Sequence, residues 1–315
     1  DMDALPMGEE TGLPFASECD GVMHSCGHDG HTTMGIAVCN WIQENLDQFC
    51  GTIKVVFQPA EEAEYGGKRV FDAGAFTGDW RPDEFYGLHD DPQLPAGQIA
   101  TRMGTLFAGT TEIHVTFTGK SGHAAFPQKA NDAIVAAAAF VMQVQTIVAR
   151  NVDPVRGGVV TLGTFQAGTI GNVIAGSAHL DGTIRAFRQS DIEMMQQRVR
   201  RIAEGVGATY DVQVALKLIQ GGYMPVENAP AQTQALIAYM QTAPDVDFSL
   251  VPPAMTGEDF GFLLQQFPGT MVWLGVGDPA HSLHSAQLNP DEAALMPGVM
   301  AWVGFLTARM EATHV

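Results

Sequence analysis

The stretch TEIHVTFT, residues 111–118, alternates polar and apolar side chains, the pattern of a strand buried on one face. An Ala-rich run follows over 131–150 (NDAIVAAAAFVMQVQTIVAR), with Asn131 or Asp132 placed to cap a long helix. Residues 158–165 and 178–187 are strand-like. Residues 190–205 read as a helix opening at Ser190/Asp191, and 210–219 as a further strand. That order, β-α-β-β-α-β, is the split βαβ arrangement, and it is self-contained. It predicts a small ferredoxin-like domain (an α+β sandwich) over 108–219, whose exit is punctuated by Gly221, Gly222 and Pro225.

The flanks read differently. Residues 31–49 suit a helix capped by Asp29, and TIKVVFQ (52–58) suits a short buried strand. After the insertion come a helix over 230–242, a strand over 270–276 (TMVWLGV) and a closing helix over 290–309. Strands alternating with helices predict an α/β domain of three layers, α/β/α, made from 1–107 and 220–315. A length of 315 residues suits two such domains better than one core.

Composition narrows the function classes. Apolar residues at 46% and charged residues at 16% exclude a disordered chain. Lys+Arg of 16 against Asp+Glu of 35 gives a net charge of −19, which argues against nucleic-acid partners and anionic membrane surfaces. A few local cations can still hold an anionic substrate. The longest apolar run, 133–142, ends at Gln143 and Gln145, short of the roughly 20 residues that span a bilayer. Cys19, Cys26, Cys39 and Cys50 fall in the first 50 residues and read as reduced, cytoplasmic thiols, at least one free for metal or catalysis. The chain opens on Asp1-Met2-Asp3 without an initiator methionine, which predicts a start inside a domain.

The densest polar cluster is MHSCGHDGH (23–31). Cys26 and His28 are two apart, and neighbouring glycines permit a turn that aims both at one ion. A polar loop ending in a helix cap is the plainer alternative, and a zinc knuckle pairing Cys19 with Cys26 has the wrong spacing. QPAEE (58–62) follows an apolar stretch. On an extended segment Glu61 and Glu62 would point opposite ways, one to a metal and one to the substrate water. A solvated surface pair is the alternative. Asp1 and Asp3, two apart, share one face of a strand and suit the bracing of a metal-bound His, or a turn before Pro6. His89 and His284 each sit where an apolar stretch meets a loop. With Cys26, His28 and Glu62 they make five ligands, enough for two metals sharing a site. His114, His179 and His314 lack such context and receive no role. No G-x-S-x-G elbow occurs, which disfavours a serine hydrolase.

DMDALP (1–6), MHSCGHDGH (23–31), QPAEE (58–62), GLH (87–89), GKSGHAAFP (119–127), GNVIAG (171–176) with DGTIR (181–185), and MTGEDFGF (255–262) occur in one order. Together they resemble the aminoacylase and metallo-carboxypeptidase amidohydrolases, in the bacterial branch with a Cys in the metal motif. The resemblance runs from Asp1 to about Leu306. It implies a di-metal catalytic domain with an inserted lid and dimerisation domain. Cys26, His28, Glu62, His89 and His284 would be the ligands of two divalent ions, Zn, Mn, Co or Ni. Glu61 would be the general base and Asp3 the orienting carboxylate. His123 would be the lid residue that helps stabilise the oxyanion, and Asn172 and Arg185 would bind the polar end or carboxylate of the substrate. A small N-acyl amino acid as substrate and a homodimer through the lid are implied too. Within the branch, NDAIVAA (131–137), ARNVDP (149–154), GNVIAG, MTGEDFG and MVWLGV (271–276) look most like the deacetylases of N-acetyldiaminopimelate, which belong to lysine biosynthesis. Broader N-acyl-amino-acid or hippurate hydrolysis, or an inactive metal-binding scaffold, are the alternatives. Relatives carry a sizeable segment before DMDALP. They also often show His-Val after GLH, where this chain has His89-Asp90-Asp91, two acids that either raise metal affinity or sit on the surface.

Overall fold

The structure is a computed structural model and describes residues 1–313, so His314 lies outside the described residues. Helices in chain order are α1 (His28–Glu44), α2 (Glu61–Glu64), α3 (Gly66–Asp72), α4 (Ala133–Asn151), α5 (Gln189–Tyr210), α6 (Pro230–Thr242), α7 (Phe260–Gln266) and α8 (Leu295–Thr313). The first strands are β1 (Phe85–Asp91), β2 (Ile99–Thr101), β3 (Gly104–Phe107), β4 (Gly109–Thr118), β5 (Gly122–His123) and β6 (Val159–Ala167). They are followed by β7 (Val173–Ile174), β8 (Ser177–Ala186), β9 (Gln213–Ile219), β10 (Val226–Asn228), β11 (Phe248–Leu250) and β12 (Gly269–Gly275). The chain divides into two compact units. One comprises Asp1–Leu106, Val226–Pro253 and Asp259–Val315, and the other Phe107–Pro225 and Ala254–Glu258.

The first unit is built on a mixed sheet of order β1-β12-β2-β11. β12 is buried along its whole length and runs parallel to β1, with His89 level with Trp273. Side chains alternate across β1. Tyr86 turns to Phe305 of α8, ring centroids 5.1 Å apart, while Phe85 turns to Phe260 of α7 at 5.5 Å. Helices therefore cover both faces, the expected three layers. Met34 and Val38 of α1, Leu236 of α6 and Val303 and Phe305 of α8 fill one side against Val272 and Leu274.

Glu84, just before β1, fastens that side. Its carboxylate accepts from Tyr86 (2.7 Å), Gln232 of α6 (2.9 Å) and Arg309 Nε of α8 (3.0 Å). Burial opposes ionisation, but the hydrogen bonds from Arg309, Tyr86 and Gln232 outweigh it and bring the carboxyl down to about 2. A carboxyl depressed in the folded state stabilises above its unfolded value near 4.5 and loses that contribution as pH falls towards 2. Glu84→Gln is expected to cost about 1–2 kcal/mol at neutral pH, kept small by solvent screening of a partly exposed group. The deficit in urea midpoint should narrow below pH 4.

The second unit carries an antiparallel sheet of order β6-β8-β4-β9, with α4 and α5 packed on one face. Ile113, Val115 and Phe117 of β4 and Leu180 and Ile184 of β8 meet Phe140 and Val144 of α4 and Ile192 and Val199 of α5, all fully buried. The sandwich is the one the hydrophobic periods predict. Asp132 caps α4, accepting from the amides of Ile134 (2.9 Å) and Val135 (3.3 Å).

Four expectations are corrected. Residues 52–58 form no ladder, because β-branched composition supplies an extended backbone but not a pairing partner. Asp29 lies inside α1, whose N-cap is Gly27. Ser190 and Asp191 lie inside α5, whose N-cap is Arg188. Ala133–Asn151 and Glu292–Ala312 are each long and apolar enough to cross a membrane by length and composition, since two glutamines do not end a helix. In α4 the buried face is spent on the sheet.

Candidate metal centre

The centre is built within the first unit, from two tight turns and one strand end. Gly27 adopts a left-handed conformation (φ 70°) that turns the chain from Cys26 into α1. A Cβ there would lie 2.5 Å from the Asp90 carboxyl, so only glycine fits. The turn buries Cys26 and His28 side by side.

The second turn carries the two glutamates. Ala60 is left-handed (φ 58°), Glu61–Glu64 make one helical turn, and the Gly66 amide returns to the Ala60 carbonyl at 3.0 Å. A Cβ on Gly66 would lie 1.6 Å from the Pro59 carbonyl oxygen. The Asp259 carboxylate pins both ends of this loop, accepting from Gln58 Nε2 and from the Gly67 amide, each at 2.8 Å. Burial pushes the Asp259 carboxyl up to about 6 despite those donors. Glu61 and Glu62 thus diverge by a helical step rather than by strand alternation, which corrects the extended reading. Glu61 is buried and Glu62 partly so.

Asp3 ties the turns together. Its Oδ1 is 3.2 Å from His28 Nδ1, and its Oδ2 accepts from the Glu62 amide at 3.0 Å. Burial opposes its charge, yet the hydrogen bonds from His28 and the Glu62 amide hold the carboxyl well below the usual range. Burial brings His28 down to about 4, so its imidazole is neutral. With Nδ1–H given to Asp3, His28 Nε2 is a lone pair, buried and without a hydrogen-bond partner. That orphaned nitrogen points to a cation.

The remaining expected ligands converge on the same place. Cys26 Sγ is 3.5 Å from His89 Nε2. Glu62 Oε1 faces His284 Nε2 at 3.1 Å. His284 is itself left-handed (φ 65°), and its amide donates to the Ser25 carbonyl at 2.7 Å, which ties this loop to the Cys motif. The ligand atoms of Cys26, His28 and His89 lie within 4.8 Å of one another, and so do those of Cys26, Glu62 and His284. All five expected ligands are brought together as two triads sharing Cys26, a layout for two ions. Burial pushes the Cys26 thiol up to about 12, a penalty that a neighbouring dication reverses. Sulfur, imidazole and carboxylate donors fit zinc, manganese, cobalt or nickel.

Around the centre, the sequence assigns no role to His31 and leaves Asp90 between metal affinity and the surface. His31, one helical turn beyond His28, is buried with Nε2 3.0 Å from Asp90 Oδ1 and Nδ1 3.3 Å from Asp1 Oδ2. Asp90 also lies 3.2 Å from His89 Nδ1. It is buried against His31 and His89 and does not sit on the surface. The i, i+3 spacing of His28 and His31 was the available signal. Asp259 lies in the MTGEDFGF motif, but nothing local marks it as a brace, since its partners are 201 and 192 residues away.

The other expected residues lie on the second unit. His123 is exposed in β5 and pairs with Val173 of β7, and the Ala124 amide donates to the Asn172 carbonyl at 3.1 Å, so His123 and Asn172 are neighbours. Arg185 stands on β8 of the larger sheet, half-buried, its guanidinium donating to the Met255 carbonyl at 2.8 Å.

Comparison with known proteins agrees with this chemistry. The model of peptidase family M20/M25/M40 matches residues 1–308. The N-acetyldiaminopimelate deacetylase of Oenococcus oeni is 57% identical over 311 residues, 99% of this chain and 81% of that protein. The protein of the same name from Lacticaseibacillus casei is 57% identical over 310 residues, 98% of this chain and 80% of that one. Among solved structures, a putative aminohydrolase from methicillin-resistant Staphylococcus aureus has a TM-score of 0.90 at 30% identity, covering 98% of this chain and 79% of that one. A Bacillus subtilis protein described as a dinuclear metal-binding peptidase of family M20 has a TM-score of 0.83 at 30% identity, with the same coverage.

Proposed function

Since the chain belongs to peptidase family M20/M25/M40, we propose that it is a metal-dependent amidohydrolase that deacetylates N-acetyl-L,L-diaminopimelate, releasing acetate and diaminopimelate. The observation that carries the reading is the buried Glu61 next to a five-ligand centre, in a chain 57% identical to deacetylases of that name. Two dications held by Cys26, His28, Glu62, His89 and His284 would polarise the amide carbonyl and lower the pKa of water.

The chain's own groups supply the rest. Glu61 accepts a proton from the attacking water as its oxygen bonds to the acetyl carbon, then delivers that proton to the amine nitrogen as the C–N bond breaks. Asp3 fixes the tautomer of His28 and the direction of Glu62 through the two hydrogen bonds described. His123 is assigned to the developing oxyanion, and Asn172 and Arg185 to the substrate's carboxylate or polar end. Arg185→Ala should therefore raise KM more than it lowers kcat.

The working form is proposed to be a cytoplasmic homodimer joined through the second unit. Four free cysteines support a reducing compartment, and sedimentation at the monomer mass would overturn the dimer. The deciding experiment compares turnover of N-acetyl-L,L-diaminopimelate with that of hippurate, with and without chelator. The acetylated diaminopimelate is expected to win and chelator to silence both. Clear preference for hippurate would replace this substrate with a broader N-acyl amino acid class.

A further inference from the structure

The polar face of the second unit's sheet gathers His114 and His179, two of the histidines to which the sequence assigns no role. β4 and β8 are antiparallel, with His114 opposite Asp181 and Thr116 opposite His179. Strand alternation turns all four away from the face that α4 and α5 cover. His114 Nδ1 is 2.8 Å from Asp181 Oδ1, and His179 Nε2 is 3.0 Å from the same oxygen. Two imidazole nitrogens and a carboxylate oxygen thus converge on one point.

Each of these side chains is also held at its far end. His114 Nε2 is 3.1 Å from Glu112 Oε2, His179 Nδ1 is 2.9 Å from Thr116 Oγ1, and Asp181 Oδ2 accepts from Thr164 Oγ1 at 3.0 Å. The Glu112 carboxylate can only accept, so His114 Nε2 bears a proton. A neutral His114 would then present a bare Nδ1 lone pair to the Asp181 carboxylate, which is repulsive. The point of convergence calls for positive charge, either a second imidazole proton or a metal ion. Hydrogen bonds to Asp181 and Glu112 raise the pKa of His114, the same demand seen through the proton.

We propose that His114, His179 and Asp181 form a binding site for a divalent first-row transition ion, sharing no residue with the centre that holds the catalytic metals. Two imidazoles and a carboxylate are borderline donors suited to Zn2+, Ni2+ or Cu2+. Partners on the far atoms of ligands are what orient imidazole and carboxylate towards a metal. On binding, the ion takes the place of the proton between His114 and Asp181, and water completes its coordination. The three side chains are about two-fifths exposed, so an ion reaches them without unfolding. Lys217, level with His114 on β9, adds a positive charge that moderates the affinity.

The test uses the whole chain. After equilibration with excess Zn2+ and removal of unbound metal, the wild type is expected to retain one more zinc per chain than a His114→Asn, Asp181→Asn double variant. Amide turnover should be the same in both. A second readout adds Cu2+ to the zinc-loaded protein, whose electron paramagnetic resonance spectrum should show coupling to two imidazole nitrogens and lose one of them in His179→Gln. Equal zinc in the two proteins, or a copper spectrum unchanged by His179→Gln, overturns the site and leaves the cluster a hydrogen-bond network. Substitutions on an exposed polar face leave the core intact, so loss of fold does not confound the result.

Discussion

Glu61→Gln is expected to remove between about a hundredfold and ten-thousandfold of turnover while leaving metal content unchanged. Glutamine keeps the size of the side chain and most of its hydrogen bonding, but it has no basic oxygen to take the water proton. In barrier terms the loss is roughly 3–5 kcal/mol. The fold should tolerate the change, because the turn that carries Glu61 is set elsewhere. Its shape comes from the left-handed Ala60, the close approach of Gly66 to Pro59, and the Asp259 carboxylate at both ends. Glu62→Gln makes the control. It removes a carboxylate that faces His284 and is braced through its amide by Asp3, so metal content should fall with turnover. The two variants separate base from ligand although they are adjacent in sequence. Near-wild-type kcat in Glu61→Gln, measured at saturating substrate with metal counted in the same sample, would end the base assignment.

How much of this was readable beforehand depends on how local each cause is. The sandwich of the second unit was legible because its information is periodic. The alternation of Ile113, Val115 and Phe117, and the helical spacing of Phe140, Val144 and Ile147, each name a buried face without reference to anything distant. Residues 52–58 carry an equally clear apolar signal and form no ladder, since pairing is decided by a partner that the segment does not encode. At the metal centre, residue types were legible and angles were not. Cys26, His28, Glu62, His89 and His284 were picked out by chemistry and by resemblance. The left-handed Gly27, Ala60 and His284 that aim three of the loops left little compositional trace, glycine excepted. Long-range braces were the hardest. Asp259 meets Gln58 across 201 positions, and His114 meets Asp181 only through strand register. A His with no neighbours in sequence therefore says nothing about its neighbours in space.

Removal of the metals is expected to abolish turnover and to lower thermal stability, and the size of both effects should depend on Asp3. An ion that binds only the folded chain contributes about 2.7 kcal/mol when present at a hundred times its Kd, so a chelated sample should melt measurably earlier than the loaded one. Asp3 touches no substrate in this scheme. It acts through His28 Nδ1 and the Glu62 amide. Asp3→Ala removes the charged one of two acceptors on His28 Nδ1, leaving the residue-3 carbonyl oxygen at 3.1 Å, and it frees the turn that presents Glu62. Loss of such a partner typically weakens metal binding by about ten- to a hundredfold. The variant should therefore lose activity and melting temperature at chelator concentrations that leave the wild type intact, and excess metal should restore most of its kcat. Glu61→Gln behaves oppositely, since added metal cannot replace a missing base. An Asp3→Ala enzyme that stays inactive at saturating metal, with both ions bound, would show that Asp3 acts on the reacting atoms themselves. Recovery in Asp3→Asn would separate the two hydrogen bonds, because an amide oxygen can still accept from the Glu62 amide while lacking the charge that draws the proton of His28 to Nδ1.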